Sequence, residues 1–128
     1  MSTWPGATGD VVTSAMWNGL PAFTVQTAKT ADYTAASGDE YQQLILMNKS
    51  SAADFLIPTD ATYNFPIGTV ITVLNIAAND VTIEAVTSGT TTVLSAGAVA
   101  ASPTLAQYKS AACIKTAANT WYVVGGVL

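Results

Sequence analysis

The segment FPIGTVITVLNIAANDVTIEA, which occupies residues 65–85, predicts a turn, a strand, a second turn and a second strand. Pro66 and Gly68 are turn residues at its start, and β-branched side chains dominate residues 69–76. Residues 81–84 alternate apolar and polar side chains, as a half-buried strand does. Because only residues 77–80 separate the two strands, we expect them to form an antiparallel hairpin.

Strand patterns of the same kind recur along most of the chain. They occupy residues 23–28, 41–47, 55–58, 91–94, 105–114 and 121–124, and turn residues separate them. Many short strands with frequent turns are typical of sandwiches and small barrels. The expected fold is therefore all-β, an antiparallel β-sandwich or small barrel of about eight short strands.

Residues 1–30 differ from the rest and predict an extended N-terminal arm. Thr13 is placed to cap a short helix over residues 14–18, which ends before Pro21. A helix this short is not stable by itself, so its apolar side chains have to pack on another surface. That surface belongs either to the chain's own β module, residues 31–128, or to a neighbouring protein. The candidate docking residues are Trp4, Val12, Met16, Trp17 and Leu20.

The composition is unusually poor in charge. Charged residues make up 9% of the 128 residues and hydrophobic residues 50%, and the mean hydropathy is +0.38. No apolar run approaches the roughly 20 residues of a membrane-spanning helix, so we expect no membrane and attribute the composition to burial between subunits. The net charge of -4 and the scattered lysines, without any arginine, disfavour nucleic-acid binding.

The common catalytic side-chain combinations are missing. The chain has no histidine and one cysteine, Cys113, so histidine-dependent nucleophile sites and zinc sites cannot be assembled within it. We interpret Cys113 as a small buried apolar residue. The adjacent carboxylates Asp39 and Glu40 would point to opposite faces of an extended chain, and Asp60 is predicted to stabilise a turn. We therefore expect no enzymatic activity, catalytic residue, metal or cofactor.

Nearly the whole chain resembles a β module of bacteriophage structural proteins, found in head decoration or cement proteins, head fibres, tail fibres and baseplates. The resembling segments are residues 33–34, 44–48, 55–58, 65–75, 81–83 and 121–125. Residues 9–18, GDVVTSAMWN, are similar to the virion-proximal start of such proteins. The resemblance implies a homotrimeric β module on a phage particle, and it does not distinguish head from tail.

Chain length favours the head, since fibres that reach receptors are usually long and carry a distal tip domain. We expect a capsid decoration protein that forms a homotrimer, binds the major capsid protein or another virion protein through its arm, and stabilises the outer shell. We expect it in the virion and without export, because the N-terminus lacks the basic and apolar regions of a secretion signal.

Two alternative functions remain open. A tail-fibre or baseplate module would bind host receptor glycans through exposed aromatic residues such as Tyr63 or Tyr122. A hydrolase of cell-wall sugars would use Asp39 or Glu40, and it would need a cleft with two opposed carboxylates.

Overall fold

The computed structural model describes residues 22–95 and 102–127, which form ten strands and no helix. The strands are β1 (Thr24–Val25), β2 (Tyr33–Thr34), β3 (Gln43–Met47), β4 (Ala53–Ile57), β5 (Val70–Asn75), β6 (Val81–Ala85), β7 (Thr92–Leu94), β8 (Thr104–Leu105), β9 (Ser110–Ala117) and β10 (Thr120–Gly125). The all-β prediction is confirmed, and each predicted strand overlaps at least one observed strand.

The strands form two sheets. The six-stranded sheet has the order β1-β3-β5-β9-β10-β7, and the four-stranded sheet has the order β2-β4-β6-β8. Up to β9, each strand therefore lies in the opposite sheet from the strand before it. The apolar inner sides of both sheets contribute to one core, an arrangement consistent with a β-sandwich.

The predicted antiparallel pairing is wrong for most neighbours. Parallel pairs join β1 to β3, β3 to β5, β2 to β4, β4 to β6 and β7 to β10. Antiparallel pairs join β5 to β9, β9 to β10 and β6 to β8, so both sheets are mixed. From β1 to β6 the chain crosses to the other sheet after every strand, so each strand runs in the same direction as the previous strand of its own sheet. The first six strands therefore form three successive coils, each with one strand in the six-stranded sheet and one in the four-stranded sheet.

The hairpin predicted for residues 65–85 is also wrong, because β5 and β6 lie in different sheets. Asn75, which is completely buried, holds the corner between them. Its Nδ2 donates to the backbone oxygens of Asn79 and Leu105, each at 2.8 Å, and its Oδ1 accepts a hydrogen bond from the Ala77 amide at 2.9 Å. These contacts carry the chain across the core instead of back along β5.

The single strand predicted over residues 105–114 is interrupted. β8 ends at Leu105 and β9 begins at Ser110 in the other sheet. Between them Tyr108 has a φ of 63°, a turn conformation that is incompatible with an extended strand. Its amide donates to the Asn75 backbone oxygen at 2.7 Å, so the same corner holds this second crossing.

The core lies between the two sheets and contains the inward side chains of both. It includes Ile45, Val73, Cys113 and Val123 from the six-stranded sheet, Phe55, Ile83 and Leu105 from the four-stranded sheet, and Phe65 with Trp121, whose rings meet edge to face at 5.6 Å. Cys113 is fully buried, which confirms its interpretation as a small core residue. Burial raises the pKa of its thiol to about 12.

The predicted arm lies largely outside the described residues. This applies to the helix over residues 14–18 and to all five predicted docking residues, Trp4, Val12, Met16, Trp17 and Leu20. Residues 22–30 are described, and they follow the edge of the six-stranded sheet. Their contacts with β3 include the Thr24 and Gln26 amides, which donate to the backbone oxygens of Gln42 and Leu44.

Candidate interaction surface

The outer sides of the two sheets differ in charge. On the four-stranded sheet, outward positions carry Asp54 and Glu84 together with Thr82. On the described strands of the six-stranded sheet, no outward position carries a charge, since its lysine, Lys115, points inward and is 1% exposed. Within the described residues, the outer side of the four-stranded sheet therefore carries charges and that of the six-stranded sheet carries none.

Strand register aligns the outward side chains of the six-stranded sheet into rows, and two of these rows are together called the uncharged face below. The first row runs across the sheet through Val25, Leu44, Thr72, Ala112 and Val124. The second row contains Val70, Ile114, Tyr122 and Leu94. Val25, Val70, Tyr122 and Val124 are each between 41% and 58% exposed.

The local sequence explains why this sheet is apolar on both sides. In β3, β5 and β10, the residues that alternate with the inward ones are also Leu, Val, Thr or Tyr. Sheets with parallel strands are normally covered on both sides and show such nearly continuous apolar runs. A contiguous apolar patch left at the surface is typical of a protein interaction site. The uncharged face can therefore bind a partner surface that is itself uncharged and flat.

The structure separates the two tyrosines considered for glycan binding. Tyr122 lies on the uncharged face. Tyr63 instead packs its ring edge-on against Phe65 at 4.5 Å, and its hydroxyl donates to Glu40 Oε2 at 2.6 Å. That hydrogen bond is the main reason that the pKa of Tyr63 is raised. The two residues do not form one aromatic platform.

Asp39 and Glu40 organise a loop. Asp39 is 3% exposed, and its Oδ1 accepts a hydrogen bond from Gln26 Nε2 at 2.7 Å. Its Oδ2 accepts from the Tyr33 hydroxyl at 2.7 Å and from the Ala36 amide at 2.8 Å. Burial, followed by the hydrogen bond to Asp39, raises the pKa of Tyr33 above its ordinary value. Glu40 accepts from the Gly38 amide as well as from Tyr63, so both carboxylates are engaged within the fold.

A buried polar cluster around Lys115 was not predicted from the sequence. Its Nζ donates to Asp60 Oδ1 and Asn64 Oδ1, each at 2.8 Å, and to the Phe65 backbone oxygen at 2.6 Å. In β9, Ala111 and Cys113 point inward, and Lys115 is the next position in this alternation. This alternation was the sequence signal that could have predicted the burial of Lys115. A pocket of about 290 Å³ opens beside the cluster.

Asp60 does stabilise a turn, as predicted, and it joins two loops. Its amide donates to Asn119 Oδ1 at 2.8 Å, and its Oδ2 accepts from the Asn119 amide at 3.0 Å. Its remaining oxygen pairs with Lys115. Asp60 is therefore held rigidly between the loop after β4 and the turn between β9 and β10.

Residues 22–95 and 102–127 bring together no group of three or more histidine, cysteine, aspartate or glutamate residues suited to a metal ion. The same residues also contain no helix long and apolar enough to cross a membrane. Comparisons with protein-family models, with curated protein sequences and with solved structures found no match to this chain.

Proposed function

We propose that the protein is a non-enzymatic bacteriophage virion protein of the capsid decoration type, which oligomerises, as a trimer, and binds the outer capsid surface to stabilise it. The uncharged face is the observation that carries this proposal. It presents two rows of Val, Leu, Ile, Thr, Ala and Tyr side chains without a compensating charge. Such a face is typical of proteins that bind a partner and is uncommon on proteins that stay monomeric.

The uncharged face is too small to form a stable interface by itself, so the proposed assembly needs additional contacts. Six strands about 4.8 Å apart, each contributing about five residues of about 3.3 Å, give a projected area of about 400 Å². Two such faces in contact would bury about 800 Å² in total, which is below the roughly 1,200–2,000 Å² of stable interfaces. Additional contacts, from a third subunit and from the arm on the shell, are therefore part of the proposal.

The stabilising mechanism is the burial of apolar surface between neighbours. At about 25 cal/mol per Å², a contact that buries about 800 Å² contributes about 20 kcal/mol. Association costs about 4–15 kcal/mol, and the ordering of side chains and the desolvation of polar groups at the interface cost more. One such contact therefore leaves only a small net gain in free energy. A subunit that bridges neighbouring capsid proteins adds the contribution of each further contact and so strengthens the shell.

Cryo-electron microscopy of intact particles, together with native mass spectrometry of the isolated protein, tests the proposal. We expect a trimeric mass, and density on the capsid at three-fold or quasi-three-fold positions. Exchanging Trp17→Ala in the arm should lower the occupancy on particles; full occupancy of this variant would exclude Trp17 from docking. Absence of the protein from the shell would overturn the decoration function.

A tail-fibre or baseplate module that binds host glycans is the second candidate. It is favoured by Tyr122, whose side chain is 44% exposed on a flat sheet surface, because exposed aromatic rings stack on sugars. Reproducible binding on a glycan array that Tyr122→Ala abolishes, with density at the tail, would support this function over decoration.

A further inference from the structure

We propose that Lys115 and Asn64 become joined by an intramolecular isopeptide bond, with Asp60 as the group that accepts and returns the proton. This modification is independent of the function proposed above. The carrying observation is the buried cluster in which Lys115 Nζ lies 2.8 Å from both the Asn64 side-chain oxygen and Asp60 Oδ1. The amine therefore contacts both a carboxamide and a carboxylate, and the three groups are the reactants and the acid-base group of an amide transfer.

The surroundings of Lys115 hold the reactants in place. Its side chain is 1% exposed, and the Phe65 backbone oxygen accepts a third hydrogen bond from Nζ at 2.6 Å. Phe65 in turn packs against Tyr63 and Trp121, so the residue that accepts this hydrogen bond is itself anchored in the aromatic core. Fixing two reacting groups within contact distance removes most of the entropic barrier to their reaction.

Asp60 is also positioned by the fold. Both its backbone amide and its Oδ2 are bonded to Asn119, which leaves Oδ1 directed at Lys115. The Asp60 side chain is 18% exposed, so little water competes with Nζ for the carboxylate. The carboxylate can therefore accept a proton directly from Nζ. A pocket of about 290 Å³ lies beside the three side chains and provides an exit for the small leaving group.

The reaction balances without an oxidant or a co-reactant. Lys115 Nζ transfers one proton to Asp60, and its lone pair attacks Asn64 Cγ to form the new C–N bond. The Asn64 Cγ–Nδ2 bond then breaks, and the departing nitrogen takes up the second proton lost from Nζ and the proton held by Asp60. It leaves as ammonium, Asp60 is again a carboxylate, and the products are a secondary amide and one ammonium ion.

The bond would tie together distant parts of the chain. Lys115 lies in β9, and Asn64 lies 51 residues earlier, in the loop before β5. A covalent link here closes a loop that contains β5, β6, β7 and β8. The expected consequence is resistance to denaturant that a hydrogen-bonded cluster alone does not provide.

Intact-mass spectrometry of the purified full-length chain tests the proposal directly. The expected mass is lower than that of the sequence by one ammonia. Trypsin then locates the link, because cleavage after Lys109 and Lys49 remains possible while acylated Lys115 is not cleaved. The expected product is residues 50–109 joined to residues 110–128.

Two variants and a matched control complete the experiment. Asn64→Ala removes the electrophile and Asp60→Asn removes the proton acceptor, so both should restore the full mass expected from their sequences. Asn48→Ala, which changes an exposed asparagine outside the cluster, should retain the ammonia loss. The wild-type mass and its tryptic map together decide the question even if a variant does not fold.

Three results would overturn the proposal. A wild-type mass equal to that of the sequence would show that no bond forms. A loss of water would assign the link to Asp60 instead of Asn64. An ammonia loss located at a succinimide elsewhere in the tryptic map would identify a different modification.

Discussion

Replacing Asn75 by alanine is expected to destabilise the fold strongly, because Asn75 holds both crossings between the sheets. The substitution removes three hydrogen bonds, to the Ala77 amide and to the oxygens of Asn79 and Leu105. Asn79 is exposed, so its oxygen can bind water instead. Ala77 is 8% exposed, so its amide loses its partner inside the protein. The oxygen of the completely buried Leu105 loses one hydrogen bond and keeps its strand pairing with β6.

The magnitude follows from these two groups. A buried backbone group left without a partner costs about 1–3 kcal/mol, and the loss of one hydrogen bond costs about 1 kcal/mol, which gives about 3 kcal/mol in total. This is a large part of the roughly 5–15 kcal/mol stability of a typical domain. For a chain of this length we expect the melting temperature to fall by about 10 °C.

Urea denaturation of the wild-type chain and the Asn75→Ala variant measures the effect on the free energy of unfolding. Asn79→Ala is the matched control, since the Asn79 contact uses its backbone oxygen and not its side chain. We expect the control to change stability by less than about 0.5 kcal/mol, and hydrogen exchange of the Ala77 amide to accelerate only in Asn75→Ala. A loss below about 1 kcal/mol for Asn75→Ala would refute the role of this corner.

Three further predictions concern the thiol, an exposed carboxylate and the uncharged face. Because burial raises the pKa of Cys113 to about 12, a thiol reagent at pH 8 should label the folded chain far more slowly than the urea-unfolded chain; equal labelling rates would contradict this burial. The Asp54 amide and Lys49 lower the pKa of Asp32, so its charged form favours the folded state, and this contribution is present at neutral pH and lost as the pH falls through the lowered pKa. Denaturation of Asp32→Asn should accordingly show lower stability than wild type at pH 7 and a difference that shrinks on acidification; a difference that is constant with pH would exclude this linkage. Val124→Lys places a charge on the uncharged face and should weaken self-association by at least about tenfold in native mass spectrometry, whereas Thr82→Lys on the other sheet should not; equal association of both variants would place the interface elsewhere.

Strand positions were largely predictable because they depend on local alternation. Residues 81–84 alternate apolar and polar side chains, whereas residues 44–47 and 121–124 are nearly continuous apolar runs; all three segments are strands in the structure. Cys113, which lies in a strand pattern, was interpreted as buried because a free cysteine behaves as a small apolar residue. Such patterns reflect which side of a strand faces the core, and this property is written into consecutive residues.

Strand partners were not predictable in this way. The sequence of residues 65–85 fits a hairpin as well as it fits two strands in opposite sheets, because both arrangements bury the same side chains. Asn75 distinguishes them through a hydrogen bond to Leu105, 30 residues further along the chain. Asn75 by itself resembles an ordinary turn residue.

The candidate sites show the same division. A charge content of 9% predicts a large uncharged surface, but the sequence does not show where on the molecule that surface lies. Val25 and Val124 belong to one row only because three intervening strands pair in a particular register. Likewise, Lys115 meets Asn64 and Asp60 only after β9 has packed beside β5. The sequence determined the strands and the poverty of charge, because these are local and additive properties. The tertiary structure alone decided the pairing, the face and the buried cluster, because each requires contacts between residues far apart in the chain.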